Sequence, residues 1–446
     1  MNRIILLSFI FILFIGLPAS KAQKVFRLNL DEAINYAYTH NYSMINSGKD
    51  LEISKEQMKA ALAEGLPQIN GTLSYHDNVA RPVSLIPGDF FGKPGEQIAV
   101  QFGTRYDAAL NGQFTQLIFD GRYLVGLKAA KVAIEKADKE FFKNKLAVRE
   151  QISNTYYQAL SIKKSLHIVD STLNVTRRLA GETNHVYKQG LTDDVSVDQL
   201  NLLVSDLKAT QTRLNNQRVI NQALLKFYLG LDEKDSLVLT EDIGKLIIQK
   251  EKMIAESGTL NLGQNIDYQT IQVAKQLSNL QVMLAKAAYL PSINASVSYN
   301  TQAQRDVWNF FNAGKWYQSA IVGVTMHIPI FSSGQRKAKL NEARLNFEKM
   351  QVMEKETGKQ LNIQYKTLID NYENARKVYN NKDQNRKVAE KIYRKTTEKF
   401  KEGMASSLDL LNTHNQFLSA ESDYVNAEFD LLQSAEKLQT LLTKAQ

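Results

Sequence analysis

The chain has 446 residues, of which 43% are hydrophobic and 23% are charged, and this balance excludes bulk disorder and collagen-like repeats. It contains no cysteine, which excludes disulfides, cysteine-ligated metals, thiol nucleophiles and an N-terminal lipid-modified cysteine. The formal net charge of +9 comes from interleaved basic and acidic residues, a pattern typical of solvated helices and not of a nucleic-acid-binding protein.

Residues 1–22 have the features of an export signal. A basic residue precedes a 14-residue apolar run at positions 4–17, and small residues at Ser20 and Ala22 predict cleavage before Gln23. The run is short for a membrane-spanning helix, with an uncleaved N-terminal anchor as the alternative. No other stretch contains 18 consecutive apolar residues. We therefore expect an exported mature chain without a transmembrane helix.

The seven prolines separate helical from extended regions. None lies between positions 95 and 290 or beyond position 329. Because proline breaks a helix interior, these two tracts, rich in Ala, Leu, Lys, Glu and Gln, predict helices. The longest are expected at about 122–188 and about 335–401, each ~100 Å long at a rise of 1.5 Å per residue.

The proline-containing windows alternate apolar and polar residues with a period of two, which indicates strands. The windows are 68–78, 106–115, 292–300 and 319–328. Four strands cannot close a membrane barrel, so they form a small soluble sheet or several chains pool their strands. In the pooled barrel, the residues predicted to face the water-filled lumen are Asn70, Ser74, Asn294 and Ser298. Those predicted to face lipid are Leu73, Val297, Val322 and Val324.

The sequence also contains an internal duplication. GLPQINGTLSYHDN (65–78) aligns with YLPSINASVSYNTQ (289–302) at 6 of 14 positions, and YKQGLTDDVSVDQL (187–200) matches FKEGMASSLDLLNT (400–413). Each half is therefore predicted to contain a helix, a β-hairpin, a very long helix, a tight turn and a helix. The predicted divisions are a first repeat at 23–229 with its hairpin at about 68–119, an inter-repeat segment at 230–263, and a second repeat at 264–446 with its hairpin at about 292–331.

The last helix carries two adjacent apolar seams with heptad spacing. One seam contains Leu410, Phe417, Tyr424, Leu431 and Leu438, and the other contains Leu411, Leu418, Val425 and Leu432. A third heptad row consists of small residues, from Thr413 to Ser434. A simple two-helix coiled coil needs one seam, so this pattern favours a helix that packs against neighbours on two sides.

Taken together, these features resemble the TolC family of outer-membrane efflux channels. The resemblance rests on the export signal, the duplication, the Leu-Pro pair before each first strand, the Phe and Gly before each long helix, and the aromatic-x-x-Gly turns. The segment LNLDEAINYAYTHNYSM (28–44) also resembles the opening helix of that family. The likeness extends over essentially all of the mature chain.

The resemblance implies a mainly α fold with membrane β structure. An internally duplicated α-barrel of long helices would be joined to four β-strands per chain, which contribute to a trimeric twelve-stranded outer-membrane β-barrel. The homotrimer would sit in outer-membrane lipid and extend a helical tunnel into the periplasm. The segments near 23–30 and 230–263 would form a belt around the tunnel.

The function implied by the resemblance is a passive exit duct of a tripartite efflux or type I secretion system. Its partners would be a periplasmic adaptor (membrane fusion) protein and an inner-membrane pump. The alternative is a periplasmic adaptor or structural protein with a coiled-coil hairpin and a small soluble β domain. The sequence does not predict the cargo.

The resemblance also implies a gate at the two tip turns, Gly190 and Gly403. Family members similar to this chain carry two pore-narrowing aspartates three residues apart, and the matching positions are Asp409 and Asn412. The neutral Asn412 leaves a ring of three aspartates in a trimer instead of six. The position where a basic residue often helps to lock the tip is Ala405, a departure from the family pattern.

Further gate candidates lie beside the first turn, at Asp193, Asp194 and Asp198. Helix capping is the alternative explanation for the acidic residues at both turns. Aromatic residues Tyr187 and Phe400, together with the two turn glycines, are candidates for adaptor docking. Phe400 lacks the hydroxyl that a polar lock would use.

An enzymatic site is not predicted. The six histidines are scattered without metal-ligand spacing, and GDFFGK (88–93) lacks the spacing of a phosphate-binding loop, so it is interpreted as part of an outward loop at about 79–102. The Asp and Glu residues are predicted to lie on helix surfaces without recognisable pairs. We therefore expect no catalytic residues, no metal and no cofactor.

Overall fold

The computed structural model describes residues 24–312 and 314–445, so the predicted export signal at 1–22 lies outside the described residues. Its helices are α1 (Leu30–His40), α2 (Tyr42–Ala63), α3 (Gly121–Lys188), α4 (Asp194–Leu229), α5 (Ile243–Glu256), α6 (Ile266–Ala287), α7 (Gln335–Lys401) and α8 (Ser407–Leu442). Its strands are β1 (Val25–Leu28), β2 (Gln68–Asp77), β3 (Val83–Pro87), β4 (Gln97–Gln101), β5 (Tyr106–Asp120), β6 (Ser236–Leu239), β7 (Ser292–Arg305) and β8 (Tyr317–His327).

The chain folds into two compact units, and each unit takes segments from both halves of the sequence. The helical unit comprises the chain up to Gly48, Phe141–Ile266, and the chain from Lys359 onward. The sheet unit comprises Lys49–Glu140 and Asp267–Gly358. The duplicated sequence therefore does not fold as two separate halves.

The two long helices have the predicted extents, and they end in matching turns. Gly190 and Gly403 have φ values of 76° and 70°, a left-handed conformation that glycine adopts without steric cost. The Gly190 N–H donates to the carbonyl of Tyr187 at 2.8 Å, and the Gly403 N–H donates to the carbonyl of Phe400 at 3.1 Å. The same local chemistry thus ends both long helices.

Two asparagines show the duplication at atomic detail in the helical unit. The side-chain amide of Asn41 donates to the carbonyl of Tyr228, at the end of α4, at 2.7 Å. Asn265 occupies the corresponding place in the second half and donates to the carbonyl of Leu441, at the end of α8, at 3.1 Å. In each repeat, a hydrogen bond therefore joins a residue near the start of the repeat to the end of its last helix.

The sheet unit contains an antiparallel four-stranded sheet in the order β2-β5-β7-β8. The four predicted strand windows are present, but two strands are longer than the sequence indicated. β5 continues to Asp120 across a register shift between Leu117 and Phe119, and β7 continues to Arg305. Both extensions follow from pairing with each other, which alternation within one strand does not reveal.

The prediction that residues 79–102 form a plain outward loop was wrong. Strands β3 and β4 pair within it as a separate antiparallel hairpin. The N–H of Gly88 donates to the carbonyl of Glu96 at 2.7 Å and closes the turn that contains the GDFFGK segment. Alternating apolar residues such as Ile98 and Val100 support the pairing, although the surrounding prolines and glycines suggest a loop.

The helical unit also contains a short parallel sheet that brings two distant segments together. Strand β1 pairs with β6, with Val25 opposite Ser236 and Leu28 opposite Leu239. Helix α5 follows β6, and its N-cap Asp242 accepts a hydrogen bond from the N–H of Gly244 at 2.9 Å. The beginning of the described chain is thus joined to the segment between the two repeats.

The core of the helical unit is formed around α8. Its fully buried members include Tyr156 of α3, Leu225 of α4, Leu246 of α5 and Leu432 of α8. The predicted heptad seams of α8 contribute Leu410, Tyr424, Val425, Leu431 and Leu438 to the buried residues. Packing of α8 against several helices explains why it needs two seams.

The prediction that the acidic residues lie on helix surfaces was wrong for several residues of α8. Glu436 is fully buried and receives hydrogen bonds from Arg149 Nε and Tyr157 Oη, each at 3.1 Å. Lys250 Nζ donates to the same carboxylate and, at 2.6 Å, to Gln439. A charge can be buried in this way because its partners come from other helices, which the spacing within one helix cannot show.

Among the described residues, no helix has the combination of length and apolar character that crossing a membrane requires.

The buried network predicts a large asymmetry between two glutamates. Replacing Glu436 with Ala leaves Lys250 and Arg149 without their buried counter-charge, and we expect a loss of about 3–5 kcal/mol in the free energy of unfolding. The control is Glu256→Ala on α5, because Glu256 pairs with Lys252 at 3.9 Å with side-chain exposures of 66% and 75%. Its expected cost is below about 1 kcal/mol. Guanidinium unfolding in detergent checks both values, and equal costs would contradict the network's role.

Candidate functional site

The first candidate site is the tip of the helical unit, where the two matching turns lie. Leu179 of α3, Leu200 of α4 and Leu410 of α8 form one buried cluster, against which Phe400 of α7 packs. Four helices therefore converge beside the turns. Phe400 is held in this packing, whereas Tyr187 at the equivalent position of the first turn is exposed.

The starts of α4 and α8 are directly joined at the tip. Asp193 is the N-cap of α4, and its carboxylate accepts a hydrogen bond from the N–H of Ser196 at 2.9 Å. This hydrogen-bonded contact with Ser196 lowers the pKa of Asp193. The hydroxyl of Ser196 lies 3.0 Å from the hydroxyl of Ser407 at the start of α8. The acidic residues of the two turns thus belong to neighbouring helix starts.

Asp409 is exposed and forms a capping box with Ser406. Its carboxylate accepts hydrogen bonds from the Ser406 hydroxyl at 2.7 Å and from the Ser406 N–H at 3.1 Å. These contacts lower the pKa of Asp409, so the side chain carries its charge at neutral pH. The residue therefore stabilises the first turn of α8 while it presents a negative charge at the tip.

The other tip candidates differ in their setting. Asp194, in the first turn of α4, Asp198, in its second turn, and Asn412, in the second turn of α8, are all exposed. Ala405 precedes the capping box and is half-buried. Each is placed so that it contributes to the surface of the tip, and none belongs to its core.

The second candidate site is the four-stranded sheet, whose register places most of the apolar side chains on one face and most of the polar ones on the other. Cross-strand partners place Leu73, Leu110, Phe114, Val297, Val322 and Val324 on one face. They place Asn70, Ser74, Gln113, Asn294, Ser298 and Thr325 on the other. The four predicted lumen-facing residues therefore share one face, and the four predicted lipid-facing residues share the opposite face.

Aromatic side chains cluster at the end of the sheet where β2 ends and β5 begins. The rings of Tyr75 and Tyr106 stack with their centroids 6.4 Å apart, and Tyr75 also meets Phe310 edge-on at 5.9 Å. Trp316 lies 6.2 Å from Phe310. Tyrosine and tryptophan at the boundary of an apolar band are typical of residues at a membrane–water interface.

A buried polar row on α8 was missed by the sequence reasoning. His414, Glu421 and Glu428 recur every seven residues and are all buried. Glu428 pairs with Lys164 of α3 at 2.7 Å, and Glu421 lies 3.5 Å from Arg386 of α7. The heptad spacing beside the apolar seams was a usable signal, because a row between two seams must face neighbouring helices.

Within the part of the chain that the structure describes, no three histidine or acidic side chains are grouped so that they could hold a metal ion.

A family model described as outer membrane efflux protein matches residues 33–231 and 260–444. The chain belongs to this family. The resemblance to TolC-like channels is thereby confirmed, and the family is one of channels and not of enzymes.

Solved structures show the same fold at low sequence identity. VceC, an outer membrane protein of Vibrio cholerae, is 17% identical with a TM-score of 0.69, over 93% of this chain and 96% of that chain. CusC is 15% identical with a TM-score of 0.72, over 97% and 96%. The CmeC outer membrane channel of Campylobacter jejuni is 15% identical with a TM-score of 0.71, over 93% and 85%. No curated protein sequence matched the chain.

Proposed function

We propose that this protein is the passive outer-membrane exit duct of a tripartite efflux or type I secretion system. Three chains would form a homotrimer, in which β2, β5, β7 and β8 of each chain contribute to one twelve-stranded barrel in outer-membrane lipid. The helices would form a tunnel in the periplasm and dock at their tips onto a periplasmic adaptor protein and an inner-membrane pump. The duct would perform no chemistry and need no cofactor.

The observation that carries the proposal is the register of the four-stranded sheet. Its apolar face is largely exposed in a single chain, with exposures of 79% for Ile69, 75% for Leu73, 79% for Val322 and 72% for Val324. A face of this kind suits contact with lipid, and the opposite face of Asn, Ser and Gln suits a water-filled lumen. β2 and β8 are open edges in the order β2-β5-β7-β8, and edges within hydrocarbon must be paired.

We assign the sequence divisions accordingly. The first repeat is residues 23–229, the second is 264–446, and the segment 230–263 forms an equatorial belt with the strand that pairs with it. Pairing of β1 with β6 supports this assignment, because it joins the start of the first repeat to the inter-repeat segment. In the alternative, a periplasmic adaptor without a barrel, the apolar face of the sheet would need another cover.

The sheet faces predict opposite effects of arginine at two adjacent positions. Val297 lies mid-strand on the apolar face between Phe114 and Val322, whereas Ser298 lies on the polar face opposite Gln113. Val297→Arg is expected to cost about 2–4 kcal/mol near the bilayer midplane, and Ser298→Arg to be tolerated. The measurement is the amount of heat-sensitive trimer in the outer-membrane fraction on unheated gels. Equal loss at both positions, or release of the wild type by salt, would argue for a soluble sheet.

A gate at the tip predicts a charge effect at Asp409. If three copies approach a common axis, they attract cations, so Asp409→Asn is expected to weaken cation preference and block by multivalent cations in bilayer recordings. Ser406→Ala is the matched control, because it removes the hydroxyl of the capping box and retains the charge of Asp409. If Asp409→Asn leaves both properties unchanged, or Ser406→Ala alters them equally, Asp409 acts only in capping. Asp193, Asp194 and Asp198 are then the next candidates.

A further inference from the structure

His414 lies in the third turn of α8, close to the tip, and has no exposed surface. Neither ring nitrogen has a hydrogen-bond partner among the described residues. A buried polar group without a partner carries an energetic cost, and native proteins rarely retain one without a role. The setting of this histidine therefore needs an explanation.

Unlike His414, the other two members of the buried row have a charged partner on a neighbouring helix. Seven residues further on, Glu421 has Arg386 beside it, and after seven more residues Glu428 has Lys164. Each acidic residue in the row is thus compensated by a cation from a neighbouring helix. His414 is the member nearest to the turns, and it lies in the only part of the described row that lacks such compensation.

One side chain from a neighbouring helix is in direct contact with the ring, and it packs in turn with residues of α3 and α4. From α7, Tyr393 meets His414 edge-on with ring centroids 5.3 Å apart, and burial raises the pKa of Tyr393. From α3, the buried hydroxyl of Thr176 donates to the carbonyl of Thr172 at 2.9 Å. From α4, Leu200 belongs to the buried cluster against which Tyr393 packs. The group that meets the imidazole is therefore aromatic.

The acidic residues of α8 are separated from His414 along the helix. Along α8 the nearest acidic groups are Asp409, five residues before His414, and Glu421, seven residues after it. Arg386 of α7 is directed at Glu421. Burial lowers the pKa of His414 from 6.5 to about 4, with no contribution from a neighbouring charge in the described chain. The packed tip therefore holds a neutral imidazole that would have to lose this packing to become protonated.

We propose that His414 makes the tip gate sensitive to acid: protonation favours a conformation in which α7 and α8 separate and the imidazole reaches water. The proposal rests on the proposed function, in which these helices close the duct. It adds a form of regulation that depends on one residue per chain, at a place distinct from the exposed aspartates of the turns.

The direction of the effect follows from the two protonation equilibria. In the packed tip the imidazole has a pKa of about 4, and in a solvated, opened tip it regains a pKa near 6.5. The preference for the packed tip is complete above pH 6.5 and is lost as the pH falls from 6.5 towards 4. At pH 5.5 the ratio of open to closed tips should rise about tenfold per chain relative to neutral pH. Three chains that open together would multiply these factors.

The test compares two histidines near the tip. His185, in the last turn of α3, is exposed, so His185→Gln is the control for His414→Leu. In bilayer recordings of the full-length trimer, the wild type and His185→Gln are expected to show an open-to-closed ratio at least tenfold higher at pH 5.5 than at pH 7.5. The His414→Leu channel is expected to show less than a twofold change. Retention of the full pH response by His414→Leu would overturn the proposal, as would a wild-type channel without a response.

A second measurement uses the wild type and does not depend on how the variant folds. Hydroxyl radicals modify accessible tyrosine rings, which keep the same protonation state between pH 7.5 and pH 5.5, and mass spectrometry of peptides gives the rate at Tyr393, which packs against His414, relative to that at the exposed Tyr187. This ratio should rise between pH 7.5 and pH 5.5, because the opened tip exposes Tyr393, and an unchanged ratio would overturn the proposal. A trimer that conducts and gates without pH dependence refutes only the acid response. A protein that never conducts refutes the duct, and the modification ratio still decides whether acid opens the tip.

Discussion

A sheet with one continuous apolar face and two open edges must have its face covered and its edges paired. In this chain the same register that places Leu73, Val297 and Val322 side by side leaves them exposed, and β2 and β8 are the unpaired edges. Burying apolar surface is worth about 25 cal/mol per Å², so such a face is not stable against water in a folded monomer. Hydrocarbon would cover the face, and strands of other chains would pair the edges. The proposed membrane location and the proposed pooling of strands between chains would therefore both satisfy one constraint.

The helical unit meets a different constraint, because its long helices must find lateral neighbours. Helix α8 packs against neighbouring helices through two apolar seams and through a buried polar row that lies between these seams. The acidic residues of this row, Glu428 and Glu421, pair with Lys164 of α3 and Arg386 of α7, and the separate buried Glu436 pairs with Lys250 of α5. Ionic pairs of this kind contribute little net stability but penalise any other pairing of helices. They favour one arrangement of the bundle, within which the buried imidazole of His414 has no charged partner among the described residues.

Much of the fold could be predicted because the residues that end its helices and strands are close to those elements in the sequence. Glycine at positions 190 and 403 ends the long helices, and the absence of proline marks their extent, so their bounds matched to within a residue. Alternation identified the four strands, and the resemblance to a known family identified the architecture. These signals depend on neighbouring residues in the chain, which a single sequence displays directly.

The features that were missed depend on contacts between distant segments. The hairpin of β3 and β4 is surrounded by prolines and glycines that suggest a loop, and only its pairing shows otherwise. The parallel pairing of β1 with β6 joins residues about 210 positions apart. Glu436 resembles an ordinary surface glutamate in the sequence, because Arg149 and Lys250 reach it from other helices. At the tip, an aspartate at position 409 is expected both in a helix cap and in a gate. The residue type and its position in the sequence therefore do not distinguish between these two roles.

The most direct test of the central claim is the mass of the folded protein after extraction from outer membranes in mild detergent. Native mass spectrometry, which separates the detergent from the protein, should give three copies of the mature chain. On heating, this species should convert to single unfolded chains without a folded monomer between them, because in the proposed assembly the barrel forms only when three chains meet. A stable, folded monomer that is inserted in the membrane would contradict the account.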